Sequence, residues 1–531
     1  MEDVPGPPRR WEWWHRQTPL TRKTIRTTLT LLVTGVVAVA IGVPTASSRS
    51  SLGPHAAEYH VTLDSQVAIQ MGPLGAIILD SPLPGPLGAE VVVQEIPTDV
   101  EGASAPDSPV PGLLADLAAY GQLFARPEVA VADAVRSLVG DALGRTAVAW
   151  SLLLVLIAAG RLAAGGHLRD EVRHALARPG VAVLAAGGLI AATAAVVVPA
   201  VVRDEPAGYS PRVLDGTPME GAVITGRLAD VVAVYGTAVR DAVEENEAFY
   251  AEAADNLARA LATDPAPAPP PVPDEAGAEG ALSDPVTFLL AADLHCNVGM
   301  AAVVRSALEH TGAVALLDAG DTVTNGTSPE SFCVETFADA VPDGLPVLVA
   351  TGNHDSVVTA DQERDVGWTV LAGDVVEVEG VRFLGDTDPT LTSLGSGTVQ
   401  ERDETVEEMG DRLADVACGA ADGGDGVDVL LVHNPRAGEA ALDRGCVPLQ
   451  LSGHWHRTDG PAVLGSGVRY VSTSSGGGAG GGVTIGPLTS DAELTVLRID
   501  RDTGRPLDHR RIVVDTDAQV RLAPWESFPV P

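Results

Sequence analysis

Two hydrophobic patterns divide the chain. In its first half, apolar residues run without a charge over 27–43, 146–160 and 179–202. A bilayer takes about 20 apolar residues per helical crossing, so 179–202 is long enough to span. The run at 146–160 is short and needs Arg145 and Arg161 to snorkel from its ends; a buried amphipathic helix is the alternative. The first run reads as a span or as a signal peptide cleaved near Ala46. Between the first two runs, 59–64, 67–70, 75–79 and 88–94 read as short strands parted by Gly and Pro turns. Residues 226–263 follow a helical period with Leu228, Val231, Val232 and Val239 on one face, as a solvated stalk or a packing helix would. In the second half the apolar runs are short: 286–292, 313–317, 346–350, 427–432 and 447–451, each the length of a buried strand. Runs at 494–499 and 511–515 read as a closing antiparallel pair.

These elements predict a cytoplasmic tail (1–26), a first span (27–46), an external β-rich module (47–143) and a second span (144–163). A short cytoplasmic link (164–178), a third span (179–202) and a partly helical external stalk (203–263) follow. A Pro/Ala-rich linker (264–283), a strand-rich domain (284–520) and a tail (521–531) come next. Orientation follows from basic residues. Arg9, Arg10, Arg16, Arg22, Lys23 and Arg26 precede the first run, and Arg161, Arg169, Arg173 and Arg178 crowd the link. The long segment 44–144 carries only Arg49, Arg126 and Arg136. The positive-inside rule then puts the N-terminus and link in the cytoplasm, and everything after the third span outside it, in a multi-pass plasma-membrane protein.

Composition narrows the functions. A formal net charge of −37 argues against a nucleic-acid partner, whose phosphates demand basic surface. All four cysteines (Cys296, Cys333, Cys418, Cys446) lie in the predicted external region. In an oxidising compartment they suggest disulfides with three possible connectivities, of which the pairs nearest in sequence, Cys296–Cys333 and Cys418–Cys446, are expected. Four buried thiols are the alternative.

The chemistry sits at the ends of the second-half strands. There stand Asp293-Leu294-His295, Gly320-Asp321, Gly352-Asn353-His354-Asp355, His433-Asn434 and Gly453-His454-Trp455-His456. In α/β folds, strand exits collect on one sheet edge, so these oxygen and imidazole donors converge. Imidazole suits Zn, Mn, Fe or Ni, and carboxylate and amide oxygens favour harder ions. Two divalent ions about 3.5–4 Å apart can clamp a phosphoryl group and acidify water. Their charge exceeds that of the two aspartates, so the site attracts phosphate within an acidic protein.

In order and content these blocks resemble the calcineurin-like metallophosphoesterases, whose pattern is D-x-H, G-D, G-N-H-D/E, a lone H and G-H-x-H. The resemblance covers residues 286–514 and leaves the first half unexplained. It implies an α/β fold of two packed sheets flanked by helices, and hydrolysis of a phosphomonoester or phosphodiester with two divalent metal ions (Mn, Fe, Zn or Ni). It further implies that Asp293, His295 and His456 hold one ion, that Asn353, His433 and His454 hold the other, and that Asp321 bridges them. His354 corresponds to a non-ligand histidine that donates a proton or hydrogen bond at the phosphate, with Asp355 orienting and charging it. The alternative is a membrane-anchored sensor or binding protein that keeps the fold without turnover; a nuclease is the weakest reading. Asn297, Asp386, Asp388 and Arg402 could line a substrate groove or simply be solvated loop residues. The glycine run at 476–482 lacks a following Lys-Ser/Thr and reads as a flexible loop near the site.

Overall fold

The computed structural model describes residues 16–52, 55–81, 85–94, 127–163, 208–215, 220–273, 279–281, 284–393, 397–478, 484 and 486–531. The expected third span and the link before it lie outside these residues. The chain divides into two compact units, one drawn mainly from residues before 235 and the other from 235–531.

In the first unit, helix α1 (Pro19–Gly42) starts at the N-cap Thr18, whose hydroxyl accepts from the Thr21 amide. Strands β1 (Ser47–Leu52), β2 (His55–Thr62), β3 (Gln66–Gln70), β4 (Ala76–Asp80) and β5 (Gly88–Val93) precede helix α2 (Pro127–Ala163). A further strand, β6 (Val223–Ile224), comes from much later in the chain and completes a sheet in the order β1-β2-β5-β3-β4-β6. Gly and Pro turns around short apolar runs mark four of these strands in the sequence; β1 is Ser-rich and β6 too short to show a period. The indole of Trp150 on α2 donates to Thr34 Oγ1 on α1 (3.0 Å). Both helices carry stretches long and apolar enough to cross a membrane, at Pro19–Gly42 and Val135–Leu162. Their large side chains are exposed, Leu32 at 61% and Leu156 at 68%. Such surface is unfavourable in water, which makes the helices compatible with membrane spans; α1 is equally compatible with a signal sequence.

The second unit begins within helix α3 (Gly226–Thr263). Tyr250, Ala253 and Leu257 on this helix are almost fully buried against Leu289, Met300 and Val304. The part of the helix from Tyr250 onward is therefore a packing helix, and the solvated-stalk option fails there. The linker after it is tied down as well. Arg498 donates to the Pro267 carbonyl (2.8 Å), and Arg510 pairs with Asp264. A short ribbon of β7 (Val272–Pro273) and β8 (Glu279–Ala281) leads into the domain.

Strands β9 (Pro285–Ala291), β10 (Ala315–Asp318), β11 (Val347–Val349) and β12 (Thr369–Val370) pair in parallel. The second sheet comprises β13 (Val376–Val378), β14 (Val381–Leu384), β17 (Val429–Leu431), β18 (Leu449–Ser452), β19 (Asp459–Leu464) and β20 (Gly467–Val471). A two-stranded hairpin, β15 (Thr390–Ser393) and β16 (Gly397–Gln400), stands apart from both sheets. The first sheet continues through the expected antiparallel pair, β21 (Ala492–Asp500) and β22 (Pro506–Val514). The closing residues 521–531 do not form a free tail: β23 (Val520–Leu522) and β24 (Glu526–Ser527) both pair with β22, and Phe528 is buried.

Phe288, Leu290, Leu317 and Leu348 of one sheet pack against Phe383, Val429, Leu431, Leu449 and Tyr470 of the other. The first sheet's outer face is covered by α3 and α4 (Met300–Thr311). Helices α5 (Ser331–Ala340) and α6 (Val357–Asp365) lie between successive strands of that sheet. The second sheet's outer face is covered by α7 (Val406–Gly423) and α8 (Glu439–Asp443). The result is the two-sheet α/β sandwich flanked by helices that the motif order implied. Both expected disulfides, Cys296–Cys333 and Cys418–Cys446, are formed.

Candidate metal centre

Strands β9, β10 and β11 run in parallel in one sheet, as do β17 and β18 in the other. The residues just past their ends therefore meet at one edge of the sandwich. Five of the expected ligands there hold left-handed backbone: Asp293 (φ 53°), His295 (44°), Asp321 (60°), His454 (71°) and His456 (49°). Non-glycine residues avoid this region at a cost of about 1–3 kcal/mol each unless the surroundings impose it. Here neighbouring loops impose it, because the Asp293 amide donates to the Gly320 carbonyl (2.8 Å) and the His295 amide to that of Asp321 (2.9 Å). The motif glycine Gly352 is required by space: a Cβ there would lie 2.3 Å from Asp321 Oδ1.

The donors form two groups that share Asp321. One is Asp293, His295, Asp321 and His456; the other is Asp321, His433 and His454. Asn353 joins the second through Oδ1, 3.0 Å from His433 Nε2. Whether these groups fit cations can be read from their hydrogen bonds. His433 Nδ1 donates to the Ala319 carbonyl (2.7 Å), so in the neutral ring Nε2 holds a lone pair. That lone pair faces Asp321 Oδ2 at 3.2 Å and the Asn353 oxygen. His456 repeats the arrangement: Nδ1 donates to the Gly478 carbonyl (2.7 Å), while Nε2 faces Asp293 Oδ1 at 3.3 Å and His295 Nε2 at 3.0 Å. Acceptors turned toward acceptors repel unless a positive charge, a metal ion or a proton on the imidazole, lies among them, and metal-binding histidines characteristically donate their other N–H to a carbonyl. The donor set fits divalent ions.

Electrostatics divide the four histidines: burial keeps His295 and His454 neutral, while against the effect of burial the carboxylates beside His433 and His456 raise these two, whose protons a bound divalent ion would displace. Burial lowers His295 to about 4. Burial, with His433 alongside, lowers His454 to about 4, so both offer neutral nitrogens. For His433 burial works the other way from the net result: the Asp321 charge prevails and raises it well above the usual range. Asp321 is held low because His433, His354 and His295 together outweigh the effect of its burial.

His354 is half-buried beside this cluster, its ring edge-on to His295 at 4.9 Å. Its Nδ1 donates to the Thr324 carbonyl (2.6 Å). Among the described residues no hydrogen bond or ion pair joins Asp355 to that ring. Its buried carboxylate instead accepts from the amides of Asp321 (2.8 Å), Gly352 (2.8 Å) and Val323 (3.0 Å). It shapes the loop that presents Asp321, and the orienting of His354 passes to Thr324.

The four residues left open have structural partners. Asn297 is buried and bonded to Tyr250 and Gly476. Asp386 pairs with Arg402 (2.8 Å) and Arg412 (2.7 Å), and Asp388 accepts from the Thr390 amide and hydroxyl. Of the glycine run, residues 476–478 lie at the site and the rest falls outside the described residues. Thr392 had no sequence signal. It accepts from Asn353 Nδ2 (2.8 Å) and so turns the amide oxygen toward His433.

Beneath Asp321 lies a buried acid pair. The Thr322 hydroxyl is 3.1 Å from both Asp318 Oδ2 and Glu363 Oε1, yet has a single proton to give. Burial raises Asp318 to about 6 and Glu363 well above its usual 4.5. Glu363 is thus the protonated partner, donating to Thr322 while Thr322 donates to Asp318. Glu363→Gln preserves that donor. Since the raised pKa makes the glutamate's contribution complete below about pH 4.5 and lost as pH rises through the folded value, the Gln variant should gain on wild type with rising pH. Glu363→Ala should instead lose about 1–3 kcal/mol. Thermal unfolding across pH 4–8 measures both, and a Gln variant that loses ground with rising pH contradicts the assignment.

Residues 286–458 match the family model described as calcineurin-like phosphoesterase. This stretch is a calcineurin-like phosphoesterase domain. The chain is accordingly a hydrolase acting on phosphoesters. No curated protein matches it significantly. Among solved structures, TT1561 of Thermus thermophilus is 11% identical, over 44% of this chain and 99% of that one, with a TM-score of 0.32. A novel archaeal phosphodiesterase is 11% identical over 43% of this chain and 99% of its own, at 0.26. Haemophilus influenzae NAD nucleotidase is 12% identical over 46% and 54%, at 0.29. Similarity at this level carries no argument about substrate.

Proposed function

We propose that this protein is a membrane-anchored phosphoesterase that hydrolyses a phosphomonoester or phosphodiester outside the cytoplasm by a two-metal mechanism. The observation that supports the reading best is the set of imidazole and carboxylate acceptors facing one another at 3.0–3.3 Å, with the far nitrogens of His433 and His456 committed to carbonyls. Asp293, His295 and His456 would hold one ion and Asn353, His433 and His454 the other, with Asp321 belonging to both donor groups. Divalent ions bound there supply Lewis acidity toward a phosphoryl oxygen and lower the pKa of water. The chain's own residues do the rest. Thr392 and Asp355 position Asn353 and Asp321. His354, its Nδ1 committed to Thr324, keeps Nε2 to carry a proton to the departing oxygen.

The anchoring is inferred from the exposed apolar helices and from the run at 179–202. The external location is inferred from the distribution of arginines and from two disulfides in the catalytic unit. The full chain in detergent, loaded with Mn²⁺, is expected to hydrolyse generic aryl phosphomonoesters or diesters and to lose that activity on chelation. Absence of turnover with any divalent metal, in protein shown to be metal-loaded, would favour the non-catalytic sensor.

A further inference from the structure

Tyr250 lies on α3, outside the matched domain at 286–458, yet it reaches the loops of the metal centre. Its ring is buried with 1% exposure and packs on Gly299, where a Cβ would come within 2.2 Å of the ring; any larger residue would displace it. The phenol oxygen accepts from Asn297 Nδ2 (2.8 Å) and donates to the Gly486 carbonyl (3.1 Å). The other Asn297 Nδ2 proton goes to the Gly476 carbonyl (2.8 Å). Asn297 therefore spends one amide proton on the helix and the other on the loop at Gly476.

The loop carrying Asn297 and the loop at Gly476 are the ones on which the Asp293 group depends. The first runs through Asp293, His295 and Cys296, all left-handed and ready to relax if released. The second is bonded to it by the Gly476 amide on the Asp293 carbonyl (3.1 Å) and includes Gly478, whose carbonyl orients His456. By contrast, Asn353 and His433 are held by Thr392 and the Ala319 carbonyl, with no bond to Tyr250 or Asn297.

We propose that Tyr250 is a positioning residue for one of the two metal sites: acting through Asn297, it holds the loops carrying Asp293, His295 and the carbonyl partner of His456. The inference rests on the two-metal reading above and adds that the domain's centre is completed by the preceding helix. Partners of this kind are worth about 10–100-fold in metal affinity.

The test uses the full chain in detergent, with Mn²⁺ or Zn²⁺ affinity measured by chelator competition and metal content by elemental analysis. Tyr250→Phe keeps the ring and removes only the hydroxyl. One of two ions should then bind about 10–100-fold more weakly, with Tm little changed. Asn297→Leu should give the same loss, and the double variant should be no worse than either alone. The effect should vanish in a His456→Ala background and persist in an Asn353→Ala background. Unchanged affinity for both ions in Tyr250→Phe and Asn297→Leu overturns the proposal, as does equal weakening of both ions together with a fall in Tm, which marks a general structural role. A wild-type chain that binds no divalent metal overturns both this inference and the reading beneath it, so the two failures are told apart by the wild-type titration alone.

Discussion

Asp321→Asn is expected to remove metal and activity together while the domain stays folded. Asp321 is shared by both donor groups, with Oδ2 3.2 Å from His433 Nε2 and 3.8 Å from His295 Nε2. An amide has nearly the same shape but no charge, and its nitrogen would point a donor at lone pairs. Two like-charged ions would then face each other without a common counter-charge, and both sites should weaken. Elemental analysis after gel filtration should find less metal than in wild type, with phosphoester hydrolysis at background. Because the Asp321 amide and carboxylate also hold the loop, through Asp355 and the His354 amide, unfolding should be followed in parallel. Full metal content with abolished activity would remove Asp321 from the bridging role.

His354→Ala should separate what Asp321→Asn combines. His354 belongs to neither donor group, and its Nδ1 is held by Thr324. Metal content should therefore stay near wild type while kcat falls by about 10²–10⁴, the span of a lost general acid. The loss should shrink for substrates with good leaving groups, such as nitrophenyl esters, which depart with little protonation. An enzyme assay across leaving groups of graded pKa checks this. If the variant loses metal, His354 belongs to the coordination shell; if the loss is the same for every leaving group, its role is binding rather than proton transfer. An Asp355 substitution should act by another route, through the loop amides it accepts from, and should lower metal affinity before it changes leaving-group dependence.

Much of the second unit was legible because its signals are local. A run such as 427–432 is apolar in nearly every position because β17 is buried on both faces, and parallel strands require this. The ligand blocks follow such runs directly, so strand ends and donors could be placed on one edge without coordinates. The disulfides followed from proximity in sequence and an even count. Elements without local signals were missed. Strand β6 contributes two residues to a sheet whose other strands lie more than a hundred positions earlier. The pairing of 521–531 with β22 depends on an edge only the folded sheet provides.

The sequence by itself determined the donor inventory of the centre, its order along the chain and the alternation of strands and helices that supports it. These depend on residue type and periodic burial, which are properties of short segments. Only the tertiary structure decided which nitrogen of His433 and of His456 faces the donor groups, because that depends on a carbonyl, of Ala319 or Gly478, arriving from another strand or loop. It also decided that Asp355 serves the backbone amides rather than His354, that Thr392 aims the amide of Asn353, and that Tyr250 reaches Asn297 from a helix outside the family domain. Each of these rests on a hydrogen bond between groups far apart in the chain, and no local pattern of burial records which pair will meet.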